Sequence, residues 1–114
     1  MYLDFLLKLG LNSIKIPSHE IYNLDLIKKC NESFEKIFIS VGACEWKEFE
    51  KIINSNLSFD KIYFMHCVSS YPLDEKNVNF PKLIKIKNLH KQIGYSGHLK
   101  GISDAIAAIS LGAQ

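Results

Sequence analysis

Apolar positions recur along this chain with two different periods, and the switches between them divide it into units. "MYLDFLLKLG" opens with Leu3, Leu6, Leu7 and Leu9 at helix spacing, and Gly10 stands where a helix end takes a left-handed residue. "SIKIPSH" (13–19) is a short β-prone run, followed by the helical stretch "YNLDLIKKCNESF" (22–34). "KIFISVG" (36–42) predicts a second strand. The helix "EWKEFEKIINS" (45–55) follows, with Trp46, Phe49, Ile52 and Ile53 on one face. "KIYFMHC" (61–67) is a third strand, and after a long loop a helix spans 81–90. "KQIGYSGH" (91–98) is a fourth, and "GISDAIAAISLG" (101–112) reads as a small-residue helix.

Strand followed by helix, four times over, predicts βα units with right-handed crossovers and a parallel sheet, hence an α/β fold. In such folds ligands bind at the C-terminal ends of the strands. Here those ends carry Ser18-His19-Glu20, Ser40-Val41-Gly42, His66-Cys67 and Ser96-Gly97-His98. "MHCVSSYP" (65–72) therefore reads as one wall of a site assembled from several strand ends.

Composition narrows the classes. The 114 residues suit one domain or one piece of a larger one, and the 47% apolar content supports a packed core. The net charge of +2 is spread along the chain. A nucleic-acid footprint needs a clustered basic face. In the closest candidate, "KLIKIKNLHK" (82–91), lysines alternate with apolar residues, which predicts a solvated helix face. No nucleic acid is expected as a partner. Cys30, Cys44 and Cys67 are odd in number and form no C-x-x-C pair, which suits a reducing compartment. Asp4 and Lys8 interrupt the apolar start, and no run reaches the ~20 apolar residues of a membrane span. A cytoplasmic protein with no membrane partner is the expectation.

The strand ends supply the candidate chemistry. His98 follows the flexible Gly-Tyr-Ser-Gly, and His66 ends the third strand. Each histidine is either a structural hydrogen-bonder or, from neighbouring strands, half of a shared divalent-metal site. Lys15 alternates with Ile14 and Ile16, so it points away from them. It is either an edge lysine in solvent or an inward lysine that meets an anion, with Ser18 close enough to share it. Glu20 could act as acid, base or hydroxyl acceptor, or simply open the next helix. No dinucleotide loop, G-K-[ST] or nucleophile elbow is present.

Four ordered segments carry a resemblance. "KIPSHE" (15–20), "ISVGAC" (39–44), "MHCVSSYP" (65–72) and "GYSGH" (94–98) resemble the motifs of the sialic acid synthases, and "SLGA" (110–113) is similar to that family's seventh helix. The resemblance implies a partial (β/α)8 TIM barrel, about strands four to seven with their helices. Strands one to three, strand eight and the C-terminal antifreeze-like domain would lie outside residues 1–114. It implies condensation of phosphoenolpyruvate with an N-acetylated amino sugar (N-acetylmannosamine or a 2,4-diacetamido-trideoxyhexose), giving a nonulosonic acid and phosphate. Lys15, Ser18, Ser69 and Ser96 would bind phosphoenolpyruvate, and Glu20 and Tyr71 would face the sugar. His98 would be one ligand of a divalent metal, manganese or magnesium, in a site that residues 1–114 leave incomplete, and His66 would not be a ligand. Ser69 stands where some members have asparagine, "SVG" replaces "STG", and Gly97 replaces aspartate. Residues 1–114 alone are expected not to catalyse condensation, and to form a homo-oligomer or associate with the missing barrel half. The alternatives are a truncated, non-catalytic barrel fragment or assembly partner, and another metal-dependent barrel lyase or aldolase.

Overall fold

Each predicted element forms, mostly shorter than its pattern, in a computed structural model that describes residues 2–114. In chain order they are α1 (Tyr2–Lys8), β1 (Ser13–Ile16), α2 (Leu24–Ser33), β2 (Lys36–Ser40) and α3 (Trp46–Ile53). There follow β3 (Ile62–His66), α4 (Phe80–Leu89), β4 (Ile93–Tyr95) and α5 (Ser103–Ser110), with short 3-10 turns at Ser18–Glu20 and Glu75–Asn77. Pro17 ends β1 because it has no N–H for the ladder. Beyond β4 the pairing finishes with one bond, from the Ser96 N–H to the His66 carbonyl at 2.9 Å, since β3 itself ends there.

The strands are parallel and ordered β1-β2-β3-β4, each beside its predecessor. That unbroken order is the pattern of a section of (β/α)8 barrel, whereas a doubly wound sheet reverses direction at a switch point. Register separates the two faces. Ile16, Ile39, Phe64 and Ile93 lie in one row and are all buried under the helices. One residue out of phase, Lys15, Phe38 and Tyr63 form a row on the opposite face, followed by Ser40, Met65 and Gly94. A Cβ on Gly94 would sit 2.5 Å from Met65 Sδ, so the missing side chain is what lets Met65 lie across β4.

The helix-side core joins Ile27 and Cys30 of α2, Phe49 and Ile52 of α3, Leu83 and Ile86 of α4, and Ala108 of α5. Phe64 meets Phe49 edge-on at 4.9 Å between centroids and His90 at 5.1 Å. A capping box between Glu45 and Glu48 starts α3. The expected solvated lysine face of α4 holds for Lys85 and Lys87 but not for Lys82. Lys82 is partly buried, and its Nζ donates to the carbonyls of Val41 and Cys44, both at 2.8 Å. Among the described residues no helix is long and apolar enough to cross a membrane.

Candidate functional site

At the C-terminal ends of the four strands lies a cavity of about 400 Å³. Lys15, Ser18, Ser69, Tyr71, Ser96 and His98 line it, drawn from positions up to 83 residues apart in sequence. Of the sequence-predicted site residues only Glu20 is not in its lining; its carboxylate accepts a hydrogen bond from Asn23 Nδ2 at 3.1 Å on the turn after β1.

Lys15 is exposed on the row opposite the helices, so both sequence readings hold in part: it belongs to the edge strand, and it faces the cavity. No opposite charge is paired with its ammonium among the described residues. An anion in the cavity would therefore find a cation that needs no ion pair broken. Ser18 is held by the neighbouring loop. The Gly42 N–H donates to Ser18 Oγ at 3.1 Å, and the Cys67 thiol lies 3.8 Å from the same oxygen. A Cβ on Gly42 would stand 2.7 Å from Cys67 Sγ and 2.8 Å from Ser69 Oγ, so the close approach of three strand ends depends on this glycine. The loop is in turn pinned from α4 by Lys82, whose pKa burial pushes down, while the thiols of Cys44 and Cys67 oppose that shift.

His98 stands in the loop between β4 and α5, which is fixed at its ends. The Tyr95 hydroxyl donates to Asp104 Oδ2 at 2.7 Å, tying the last residue of β4 to the first turn of α5. Burial and that bond raise the phenol's pKa above its ordinary value. A Cβ on Gly97 would lie 2.5 Å from Asp104 Oδ2, so the glycine leaves room for that carboxylate. The imidazole itself is oriented by the Val68 carbonyl, 2.8 Å from Nδ1. A carbonyl only accepts, so Nδ1 carries a proton, and in the neutral ring Nε2 carries the lone pair. Nε2 lies 3.1 Å from the Tyr71 hydroxyl, and the two rings meet at a 43° tilt with centroids 4.3 Å apart.

His66 is not in the cavity. It ends β3 on the helix side, fully buried, with Nε2 bonded to the Val78 carbonyl at 2.7 Å. The wall formed by "MHCVSSYP" therefore consists of Cys67, Ser69 and Tyr71, with His66 behind it. The cavity also takes in His19, Ser40 and Cys67, to which the sequence reading assigned no role. Ser40 had a usable signal: it follows Phe38 by two residues, so strand alternation alone puts both on one face.

For a divalent cation, the donor chemistry of His98 fits, since a neutral imidazole with its proton held on Nδ1 offers Nε2. Among the described residues, however, no group of three or more His, Cys, Asp or Glu side chains could hold a metal ion.

Residues 1–114 match the NeuB family. The chain is 36% identical over 115 residues to the N,N'-diacetyllegionaminic acid synthase of Campylobacter jejuni, covering 96% of this chain and 34% of that protein. It is 34% identical over 116 residues to the N-acetylneuraminate-9-phosphate synthase of Drosophila melanogaster, covering 98% and 31%. Among solved structures, the N-acetylneuraminic acid (sialic acid) synthetase of Leptospira borgpetersenii, in complex with citrate, superposes with a TM-score of 0.82 at 30% identity, covering 97% of this chain and 40% of that one. The chain thus spans about a third of the length of the curated relatives it matches.

Proposed function

This chain belongs to the NeuB family, and on that premise we propose that it forms strands four to seven of the barrel in an enzyme that condenses phosphoenolpyruvate with an N-acetylated amino sugar. The products are a nonulosonic acid and phosphate. The observation that carries this reading is the convergence of Lys15, Ser18, Ser69 and Ser96 on the same cavity as Tyr71 and His98. Relatives that make legionaminic acid, pseudaminic acid and N-acetylneuraminate 9-phosphate support it.

In the reaction, C3 of phosphoenolpyruvate forms a carbon–carbon bond to the aldehyde carbon of the open-chain sugar. Water adds at C2, and the C–O bond to phosphate breaks. The Lys15 ammonium and the Ser18 hydroxyl hold the anionic end of phosphoenolpyruvate, and Ser69 and Ser96 add hydroxyl donors. Because Gly42 N–H already occupies a lone pair of Ser18 Oγ, the serine's own proton is left to donate. The role of these residues is orientation and charge neutralisation, which a misplacement of ~1 Å can weaken a hundredfold. Tyr71 faces the sugar, whereas Glu20 lies outside the cavity lining, and His98 would be one ligand of a divalent cation, manganese or magnesium. When bound, that cation supplies Lewis-acid polarisation of the aldehyde.

Titration of phosphoenolpyruvate into the chain tests the anion site. Lys15→Ala should weaken binding about ten- to a hundredfold, the effect of losing a charge-assisted hydrogen bond, and His98→Ala should leave it near wild type. The chemistry is tested in a chimera whose matching third, in the Campylobacter relative, is replaced by residues 1–114. Phosphate should be released only when the amino sugar is present. Binding indifferent to Lys15, or release without the sugar, would overturn the reading.

A further inference from the structure

His98 lines the cavity, and its Nε2 is already engaged. Nδ1 is committed as a donor to the Val68 carbonyl at 2.8 Å, which leaves Nε2 as an acceptor. The Tyr71 hydroxyl lies 3.1 Å from it, and a neutral phenol can donate there. Nothing in the contact requires the tyrosine to stay. Tyr71 is 76% exposed, and its ring lies against the His98 ring with centroids 4.3 Å apart. Its loop continues through Pro72 to Leu73, which is buried and anchors the segment behind it. The phenol is thus a light, exposed side chain resting on an imidazole that its own backbone carbonyl neighbour, Val68, holds still.

We propose that Tyr71 is a displaceable cap on His98: its hydroxyl occupies Nε2 until an electrophile takes the lone pair, and is then released to face the cavity. A neutral phenol partners the imidazole nitrogen when nothing is bound without competing strongly for it. A carboxylate there would demand protonation of the ring, and a lysine would repel a cation. The cap also makes Tyr71 a positioning residue that couples two events. Occupancy of Nε2 frees the hydroxyl for a second ligand, so a group that coordinates His98 and a group that accepts from Tyr71 favour one another's binding. The proposal rests on the functional reading above only in naming that electrophile as a divalent cation.

Two readouts separate the cap from that reading: acylation of the full chain, and manganese binding by the chimera that completes the barrel. Diethyl pyrocarbonate acylates the free lone pair of neutral imidazole, and peptide mass mapping gives the rate at His98 alone. Tyr71→Phe removes the hydroxyl and keeps the ring, so any change reports the hydrogen bond and not shielding. His98 should be acylated about two- to tenfold faster in Tyr71→Phe, the range expected for one net hydrogen bond. Manganese titration followed by electron paramagnetic resonance should show His98-dependent affinity rising by a similar factor. Tyr71→Leu, which loses ring and hydroxyl together, should acylate at least as fast as Tyr71→Phe. Equal acylation rates in wild type and Tyr71→Phe overturn the cap. Faster acylation with manganese binding unaffected by His98→Ala keeps the cap and overturns the metal role of His98.

Discussion

His66 closes β3 and His98 lies in the loop past β4, and their surroundings give the same residue type opposite tasks. His98 offers a lone pair to the cavity. His66 is fully buried behind the sheet, with Nε2–H donating to the Val78 carbonyl and no partner for Nδ1 among the described residues. Burial holds its pKa below the ordinary 6.5; the Val78 bond opposes this, and the nearby Lys82 charge adds to it. The unfolded chain therefore takes up a proton below pH 6.5 that the folded chain resists, so stability is full above 6.5 and falls as the pH drops through the folded value. The slope from this one group is at most about 1.4 kcal/mol per pH unit. Urea midpoints at pH 7.5 and pH 5.5, chosen roughly one unit either side of that value, should differ more in wild type than in His66→Gln. An equal fall in both would remove His66 as the cause. Sequence alternation places a residue on one face or the other, but the continuous hydrophobic run "IYFM" conceals which face His66 takes.

At the scale of elements, α4 governs the site through a single side chain. Lys82 crosses from the helix to bond the Val41 and Cys44 carbonyls, and so fixes the loop whose Gly42 N–H holds Ser18. Lys82→Met keeps the apolar stem and leaves two partly buried carbonyls without their donor. That should cost about 1–3 kcal/mol, read from urea unfolding, and should weaken phosphoenolpyruvate binding although Lys82 does not line the cavity. A loss within the ~0.5 kcal/mol typical of surface changes would mean these bonds hold nothing in place. The lysine pattern of "KLIKIKNLHK" reads as solvated because an amphipathic count cannot see that one lysine in the stripe meets the loop of the preceding βα unit. Element existence was legible for the opposite reason: "SIKI", "KIFIS" and "KIYFMH" are β-branched and aromatic runs bounded by polar turns, a purely local signal.

Across the whole molecule, the sheet ends on β1, which has a partner on one side only among the described residues. β4 is met on its outer side by the Gln114 N–H, which donates to the Ile93 carbonyl at 2.9 Å. The face opposite the helices presents the partly buried Phe38, Tyr63 and Met65. Two helix stripes are also uncovered: Tyr2, Phe5 and Leu9 near α1, and Ile102, Ile106 and Ile109 along α5. An open edge together with apolar patches favours association. We therefore expect the 114-residue chain to sediment as dimers or larger species at ~10–50 µM, within the range where such surfaces self-associate. Ile106→Lys combined with Phe5→Lys should shift it toward monomer. A stable wild-type monomer under those conditions would show that these surfaces do not drive contact between copies.

What the chain's own order of residues determines is local or periodic: the βα alternation, the face of each strand residue, and the motifs whose spacing carries the family resemblance. Those properties depend on backbone period and on neighbours a few residues away, so they survive without coordinates. The sequence also placed Lys15, Ser18, Ser69, Ser96 and His98 at or next to strand ends. Only tertiary structure decided that six of the seven residues enclose one cavity, that Glu20 turns to Asn23, and that His66 lies behind the sheet. The same holds for the proton on His98 Nδ1, which is set by a carbonyl 30 positions away, and for the Tyr71 hydroxyl that caps Nε2. Such contacts follow from the packing of one βα unit against the next, and side-chain orientation across that seam depends on shapes and distances that no local pattern encodes.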